Sequence, residues 1–211
     1  MNSTPDNVLE SNRANIAGIV SKPLQFSHKT YGEVFYTFTV GVERKSGYED
    51  EIIIMISDRL INDNSPSIGQ YIKVSGQVRT YNENIEGRNK LNIVIFAREL
   101  EEFTADSVEE NEIYLEGFLC KKPLKRTSPL GRKICDIMLA VNRMYNKSDY
   151  IPCIAWGRNA LYSDTLEVGD RISITGRLQS REYKKKDEDG NLIAKTAYEV
   201  SILKLDTDEK E

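Results

Sequence analysis

The 211-residue chain contains a single internal repeat. At an offset of 99 residues Asn12 matches Asn111, Gly18 matches Gly117 and Gly32 matches Gly131. Val40-x-Val42-x-Arg44 matches Leu139-x-Val141-x-Arg143, and Ile52, Ile54 and Ile56 match Ile151, Cys153 and Ala155. Arg59 matches Arg158; after one inserted residue the offset becomes 100, pairing Gly69 with Gly169, Ile72 with Ile172, Val74 with Ile174 and Gly76 with Gly176. Solenoid units are shorter and more numerous, so two long copies mean two domains of one fold. The acidic run from Leu100 to Glu110 has no period and reads as a linker. The expected organisation is a disordered tail at 1–11, a first domain at 12–100, a linker at 101–110, a second domain at 111–205 and an acidic tail at 206–211.

Within each copy the hydrophobic pattern has the period of a strand. Phe38, Val40 and Val42 alternate with Thr39, Gly41 and Glu43, and Ile137, Leu139 and Val141 do the same in the second copy. Ile172, Ile174, Gly176 and Leu178 share one face, with Arg171, Ser173, Thr175, Arg177 and Gln179 on the other. A helix-compatible stretch from Asn159 to Leu166 precedes the turn at Val168-Gly169-Asp170, and Ala197 to Leu203 reads as a closing strand. Five strands with a short helix between the third and fourth predict an all-β fold of two tandem five-stranded OB barrels. SH3-like barrels are the structural alternative, but they are shorter and lack the helix.

Several chemistries are disfavoured by composition. The one histidine, His28, sits in a polar stretch, which removes His-based nucleophilic and metal mechanisms. Cys120, Cys135 and Cys153 are odd in number and show no C-x-x-C spacing, so no disulfide framework or zinc site is expected. No phosphate-cradling glycine loop is present, and Asp164, Glu167 and Asp170 read as a solvated face; no cofactor, metal or catalysis is expected. No apolar run approaches the ~18 residues of a membrane helix, and the polar start lacks the order of a signal peptide. A cytoplasmic location is the default expectation.

The third strand of the second copy, Tyr150 to Trp156, places Ile151, Cys153 and Ala155 on one face and Tyr150, Pro152, Ile154 and Trp156 on the other. The matching Ile52, Ile54 and Ile56 mark the first of these faces as interior, so Tyr150 and Trp156 are expected to project outward. Outward rings fit either a protein interface or stacking on unpaired bases, the latter worth about 1–3 kcal/mol per base for any sequence. Charge favours the second. Residues 111–186 hold 15 Lys+Arg against 8 Asp+Glu, whereas residues 12–105 hold 11 against 12, so a basic second domain is hidden in a chain of net charge −4. Its cations interleave with rings: Arg143, Tyr145 and Lys147; Trp156 and Arg158; Arg181, Tyr183 and Lys184. Phosphate neutralisation beside stacking platforms is what a single-strand groove needs.

These stretches resemble the bacterial single-stranded-DNA-binding protein family over nearly all of residues 111–205. The matching segments are Asn111-x-x-x-Leu115-x-Gly117 with Pro123, Ile137 to Arg143, Tyr150 to Arg158, and Val168-Gly169-Asp170 through Ile172, Ile174 and Gly176 to Arg181. The resemblance implies DNA contacts by Tyr145, Tyr150, Trp156 and Tyr183; the local excess of basic charge adds Arg143, Lys147, Arg158, Arg181, Lys184, Lys121, Lys122 and Arg126 as the expected phosphate contacts. The first copy resembles the family more faintly. Ser46, Glu51, Ser57 and Glu83 occupy the four ring positions, with Tyr48, Tyr81 and Arg59 as partial compensation, so a weak site or a scaffold is expected there. The family's habit of assembling four barrels implies a homodimer. Its recruiting tail usually closes on an apolar residue; the acidic ending from Asp206 to Glu211 departs from that pattern in having no long linker and no terminal Phe, so tail-mediated recruitment is not carried over from the resemblance. Single-stranded DNA is the expected partner; RNA is allowed because stacking ignores the sugar. The competing readings are a primosome-type accessory OB protein and an interaction scaffold with little DNA binding.

Overall fold

The structure, a computed structural model, describes residues 10–61, 65–85, 87–102, 109–128, 130–186 and 190–207. The first copy forms β1 (Asn12–Thr30), β2 (Glu33–Glu43), β3 (Glu49–Ser57), α1 (Asp58–Ile61), β4 (Tyr71–Ile85) and β5 (Arg88–Glu102). The second forms β6 (Glu110–Leu119), β7 (Leu124–Thr127), β8 (Lys133–Arg143), β9 (Lys147–Trp156), α2 (Gly157–Ser163), β10 (Arg171–Lys186) and β11 (Leu192–Thr207). Strand order β2-β3-β5-β4-β1 is closed by a further β1–β2 pairing, and β8-β9-β11-β10-β6 by β6–β8, so each copy is a closed five-stranded barrel. β7 adds a short edge to β8. The OB plan expected from the strand pattern is the observed one.

The alternating positions build the cores. Ile52, Ile54 and Ile56 are buried in one barrel and Ile151, Cys153 and Ala155 in the other. Two repeated glycine pairs are required by closure. A Cβ on Gly18 would lie 2.2 Å from the Gly41 carbonyl oxygen, and one on Gly117 2.3 Å from that of Ala140, where the first strand meets the second. Gly76 and Gly176 sit at matching bulges in β4 and β10, against the carbonyls of Phe96 and Ser201.

Some expectations shift. The helix expected at Asn159–Leu166 runs over Gly157–Ser163. Its end tightens, because the amides of Thr165 and Leu166 donate to the carbonyls of Tyr162 and Ser163 three residues back, and Leu166 turns into the core. Ile154, expected on an outward face, is buried, and so are Met55 and Ser57, which have the matching parity on β3. Met55 joins Phe35 and Val94 in a second small apolar cluster outside the first barrel. Ile154 lies between paired strands, opposite Asp136 and Ser201. Cys135 and Cys153 are small buried strand residues, whereas Cys120 lies half-buried between strands and donates its thiol to the Met138 carbonyl at 3.3 Å. The linker expected at 101–110 begins and ends inside β5 and β6, and its stretch 103–108 lies outside the described residues, as do most of the expected tails, 1–9 and 208–211. Among the described residues no helix is long and apolar enough to cross a membrane.

The barrels are joined edge to edge. β1 pairs antiparallel with β6 from Asn12↔Leu115 to Ala17↔Glu110, making one eleven-stranded sheet. Ala14 faces Ile113, its own equivalent at an offset of 99, so a two-fold pseudo-axis passes through that pair. Every contact between the barrels should therefore occur twice, in related form.

Candidate nucleic-acid interface

Two buried carboxylates show the pseudo-symmetry at work. Asp149, fully buried on β9, accepts the Thr80 amide at 2.7 Å and its hydroxyl at 3.1 Å, and pairs with Arg79 at 3.2 Å and Arg143 at 3.4 Å. The Tyr150 amide donates back to the Thr80 hydroxyl at 3.2 Å. Asp50, its equivalent on β3, accepts the Ser180 amide at 2.7 Å and the Arg44 Nε at 2.7 Å, and Arg44 also donates to the Ser180 carbonyl at 2.9 Å. Each carboxylate thus clamps the end of one barrel's second hairpin onto the fourth strand of the other. The clamps differ. Burial lowers the Arg79 pKa, resisted by Asp149 and reinforced by Arg143 and Arg98, whereas hydrogen bonding to Asp50 raises that of Arg44. Neither clamp was anticipated from sequence, although Asp50 and Asp149 match at the same offset as the rest of the repeat.

The four rings implied for the second barrel are all solvent-accessible. Trp156, at the end of β9, is 38% exposed and donates its indole N–H to the Ser201 hydroxyl at 3.1 Å. Its ring lines a shallow pocket of about 320 Å³ with Arg132, Lys133, Gly157 and Leu161. Tyr150 is 52% exposed on the same strand face, six residues and so about 20 Å away at ~3.3 Å per residue. Tyr145 is 87% exposed in the turn Met144–Asn146, with φ 62°. A left-handed conformation costs a non-glycine residue roughly 1–2 kcal/mol, and here it holds a ring out in solvent. Tyr183 is exposed on the β10–β11 hairpin, with the Arg181 guanidinium 5.9 Å from its ring centroid.

The cations divide into two groups. Lys121, Lys147, Arg158 and Lys184 form no ion pair among the described residues. Arg143 is held by Asp149, and Arg181 lies 4.0 Å from Glu199. Lys122 pairs with Glu167 and Lys125 with Asp164, while Arg126 forks onto Asp136. The carboxylates read as a solvated face are therefore largely partners of these bases. Glu199 is half-buried; burial raises its pKa, opposed by Arg181 and reinforced by Asp136. Arg132, Lys133 and Leu161 enter the site only through the fold, which sets the start of β8 and α2 beside Trp156.

The first barrel is different at every matching position. Ser57 donates to Glu33, Glu51 pairs with Lys22 at 2.6 Å, Glu83 accepts from Asn92 at 2.9 Å, and Ser46 is exposed. Arg59 reaches toward Glu33 at 3.8 Å. Its outer face is filled by its own side chains: His28 stacks on Phe35 at 4.9 Å, Phe35 meets Phe96 at 5.8 Å, and Arg98 covers Phe96 at 5.3 Å. Tyr48 and Tyr81 remain exposed.

Comparison with known proteins agrees with this division. The family model of the Single-strand binding protein family matches residues 110–207, the second barrel. A single-stranded DNA-binding protein of Clostridium tetani is 35% identical over 101 residues, covering 44% of this chain and 70% of that protein. Single-stranded DNA-binding protein 2 of Clostridium acetobutylicum is 32% identical over 106 residues, covering 46% of this chain and 80% of that one. The crystal structure of the wild-type single-stranded DNA binding protein from Thermus aquaticus superposes with a TM-score of 0.73 over 95% of this chain and 94% of that one, at 19% identity, a likeness of fold through both barrels. With most of the length of these relatives matched at such identity, the chain belongs to the single-strand binding protein family.

Proposed function

We propose that this protein coats unpaired DNA without strong sequence preference, during replication, recombination or repair, and that it does so without catalysis. The observation that carries this reading is the outer surface of the second barrel, where Tyr145, Tyr150, Trp156 and Tyr183 stand exposed beside Lys121, Lys147, Arg158 and Lys184, which form no ion pair among the described residues. Rings supply about 1–3 kcal/mol per stacked base, and the free cations hold phosphates. Neither term reads base identity, so coating rather than sequence recognition follows. Lys121, Lys147, Arg158 and Lys184 are the phosphate contacts of first rank, because Lys122 and Arg126 must first leave their carboxylates. The first barrel acts mainly as a scaffold, its outer face being occupied by its own apolar cluster. Two chains of 24.1 kDa would bring four barrels together in the cytoplasm as a homodimer, measurable by light scattering.

Anisotropy titration of labelled dT oligomers across a range of salt tests the reading. Binding should weaken linearly in log salt with a slope of about 0.7 per phosphate engaged, near 3 for four contacts. Flat salt dependence, or no binding at low salt, is the result expected of an interaction scaffold.

A further inference from the structure

Two exposed tyrosines of the first barrel, Tyr48 and Tyr81, occupy none of the four ring positions and are not part of its apolar cluster. Both lie where the barrels meet. At one seam Tyr81 directly follows Thr80, whose hydroxyl accepts the amide of Tyr150. At the other, the Arg44 guanidinium covers the Tyr48 ring at 4.6 Å and donates to the carbonyl of Ser180, three residues before Tyr183. Tyr198, opposite Ser180 in register, has its phenol pushed up to about 12, mainly by burial and then by Glu51, Tyr48 and Asp50.

The repeat makes the pattern legible. The equivalent of Tyr48 is Lys147 and that of Tyr81 is Arg181, so cations stand in the second barrel where rings stand in the first. The equivalents of Tyr150 and Tyr183 are Glu51 and Glu83. The two-fold relation sets Tyr81, Glu83, Tyr150 and Lys147 at one seam and their equivalents Arg181, Tyr183, Glu51 and Tyr48 at the other. Each seam holds one ring from each barrel and one cation, the minimum set for a stacked nucleotide with its phosphate, beside a glutamate that is engaged within the first barrel, Glu83 by Asn92 and Glu51 by Lys22.

We propose that the two seams are composite stacking sites, so that a strand laid on the second barrel continues across both junctions onto Tyr81 and Tyr48. This rests on the single-strand-binding reading of the second barrel. It assigns the first barrel a direct role through its edges rather than its own outer face. Tyr81 works with Tyr150, and Tyr48 with Tyr183, and the clamps at Asp149 and Asp50 hold each pair in place.

A double-mutant cycle in the full chain tests this, using anisotropy of a labelled dT oligomer long enough to cross both barrels. Tyr81→Ala and Tyr48→Ala should each weaken binding by about 5-fold or more, the lower end of one lost stacking contact. Tyr81→Phe and Tyr48→Phe, which keep the ring, should lose far less affinity than the alanine variants. Tyr81→Ala should cost much less in a Tyr150→Ala background and its full amount in a Tyr183→Ala background, with the converse for Tyr48→Ala. Unchanged affinity of the alanine variants, or equal losses in every background, overturns the composite seams while leaving the parent reading intact. Failure of the unmutated chain to bind dT overturns both.

Discussion

The two barrels share one backbone plan and bury equivalent residues, yet their outer faces are finished in opposite ways. In the second, the face of β9 ends in exposed Tyr150 and Trp156, with Lys147 and Arg158 forming no ion pair among the described residues. In the first, the equivalent positions are Glu51 and Ser57, one paired with Lys22 and the other bonded to Glu33, and Phe35, Met55 and Val94 close the surface over. A duplicated barrel needs only one copy of its interior rules but can divide the labour of its surface. Interior positions are constrained by closure, as Gly18 and Gly117 show, whereas surface positions are free to diverge.

The comparison can be broken most forcefully at the clamps. Replacing Asp149 by Ala leaves Arg79 and Arg143 facing each other in a buried site, and should cost about 3–5 kcal/mol in urea unfolding. Asp50→Ala should cost less, about 1–3 kcal/mol, because it strands one arginine rather than two, and Arg44 is more exposed than Arg79 and can be rehydrated. Equal losses would mean that the two junctions are energetically alike despite their different arginine content.

Next in size is the loss of a ring. Trp156→Ala or Tyr150→Ala should weaken dT binding by about 1–3 kcal/mol, while Ser57→Ala in the first barrel should leave affinity unchanged. Smaller again is the removal of a cation: Lys147→Ala or Arg158→Ala should each lower the salt slope by about 0.7, and Arg59→Ala should not. The smallest effect is expected at Glu199. Burial, chiefly, raises its pKa, so the charged form opposes folding at neutral pH and the penalty fades as pH falls through the folded value. Glu199→Gln removes that penalty and the charge 4.0 Å from Arg181; it should stabilise the chain at pH 7 and tighten dT binding by about 1 kcal/mol at most, with no gain over the unmutated chain at low pH.

Much of this architecture was legible in the residues. The repeat announced two domains, and period-two runs such as Ile172 to Leu178 announced strands whose buried face is the observed one. What escaped detection depended on contacts between distant segments. Ile154 and Met55 have the parity of outward residues, but they are buried because neighbouring strands flank them, which parity on one strand does not report. Lys122 and Arg126 look like free cations until the fold brings Glu167 and Asp136 to them. The clamps at Asp50 and Asp149 join residues 130 and 69 positions apart, and only the pairing of β1 with β6 makes those contacts possible.

The most direct measurement uses the single tryptophan, since Trp156 sits on the proposed landing surface and no other indole competes with its signal. Titrating the full chain with dT oligomers should quench its fluorescence to saturation, with a midpoint that moves to higher DNA concentration as salt rises. Binding by anisotropy with the indole emission unchanged would place the DNA elsewhere and contradict the account.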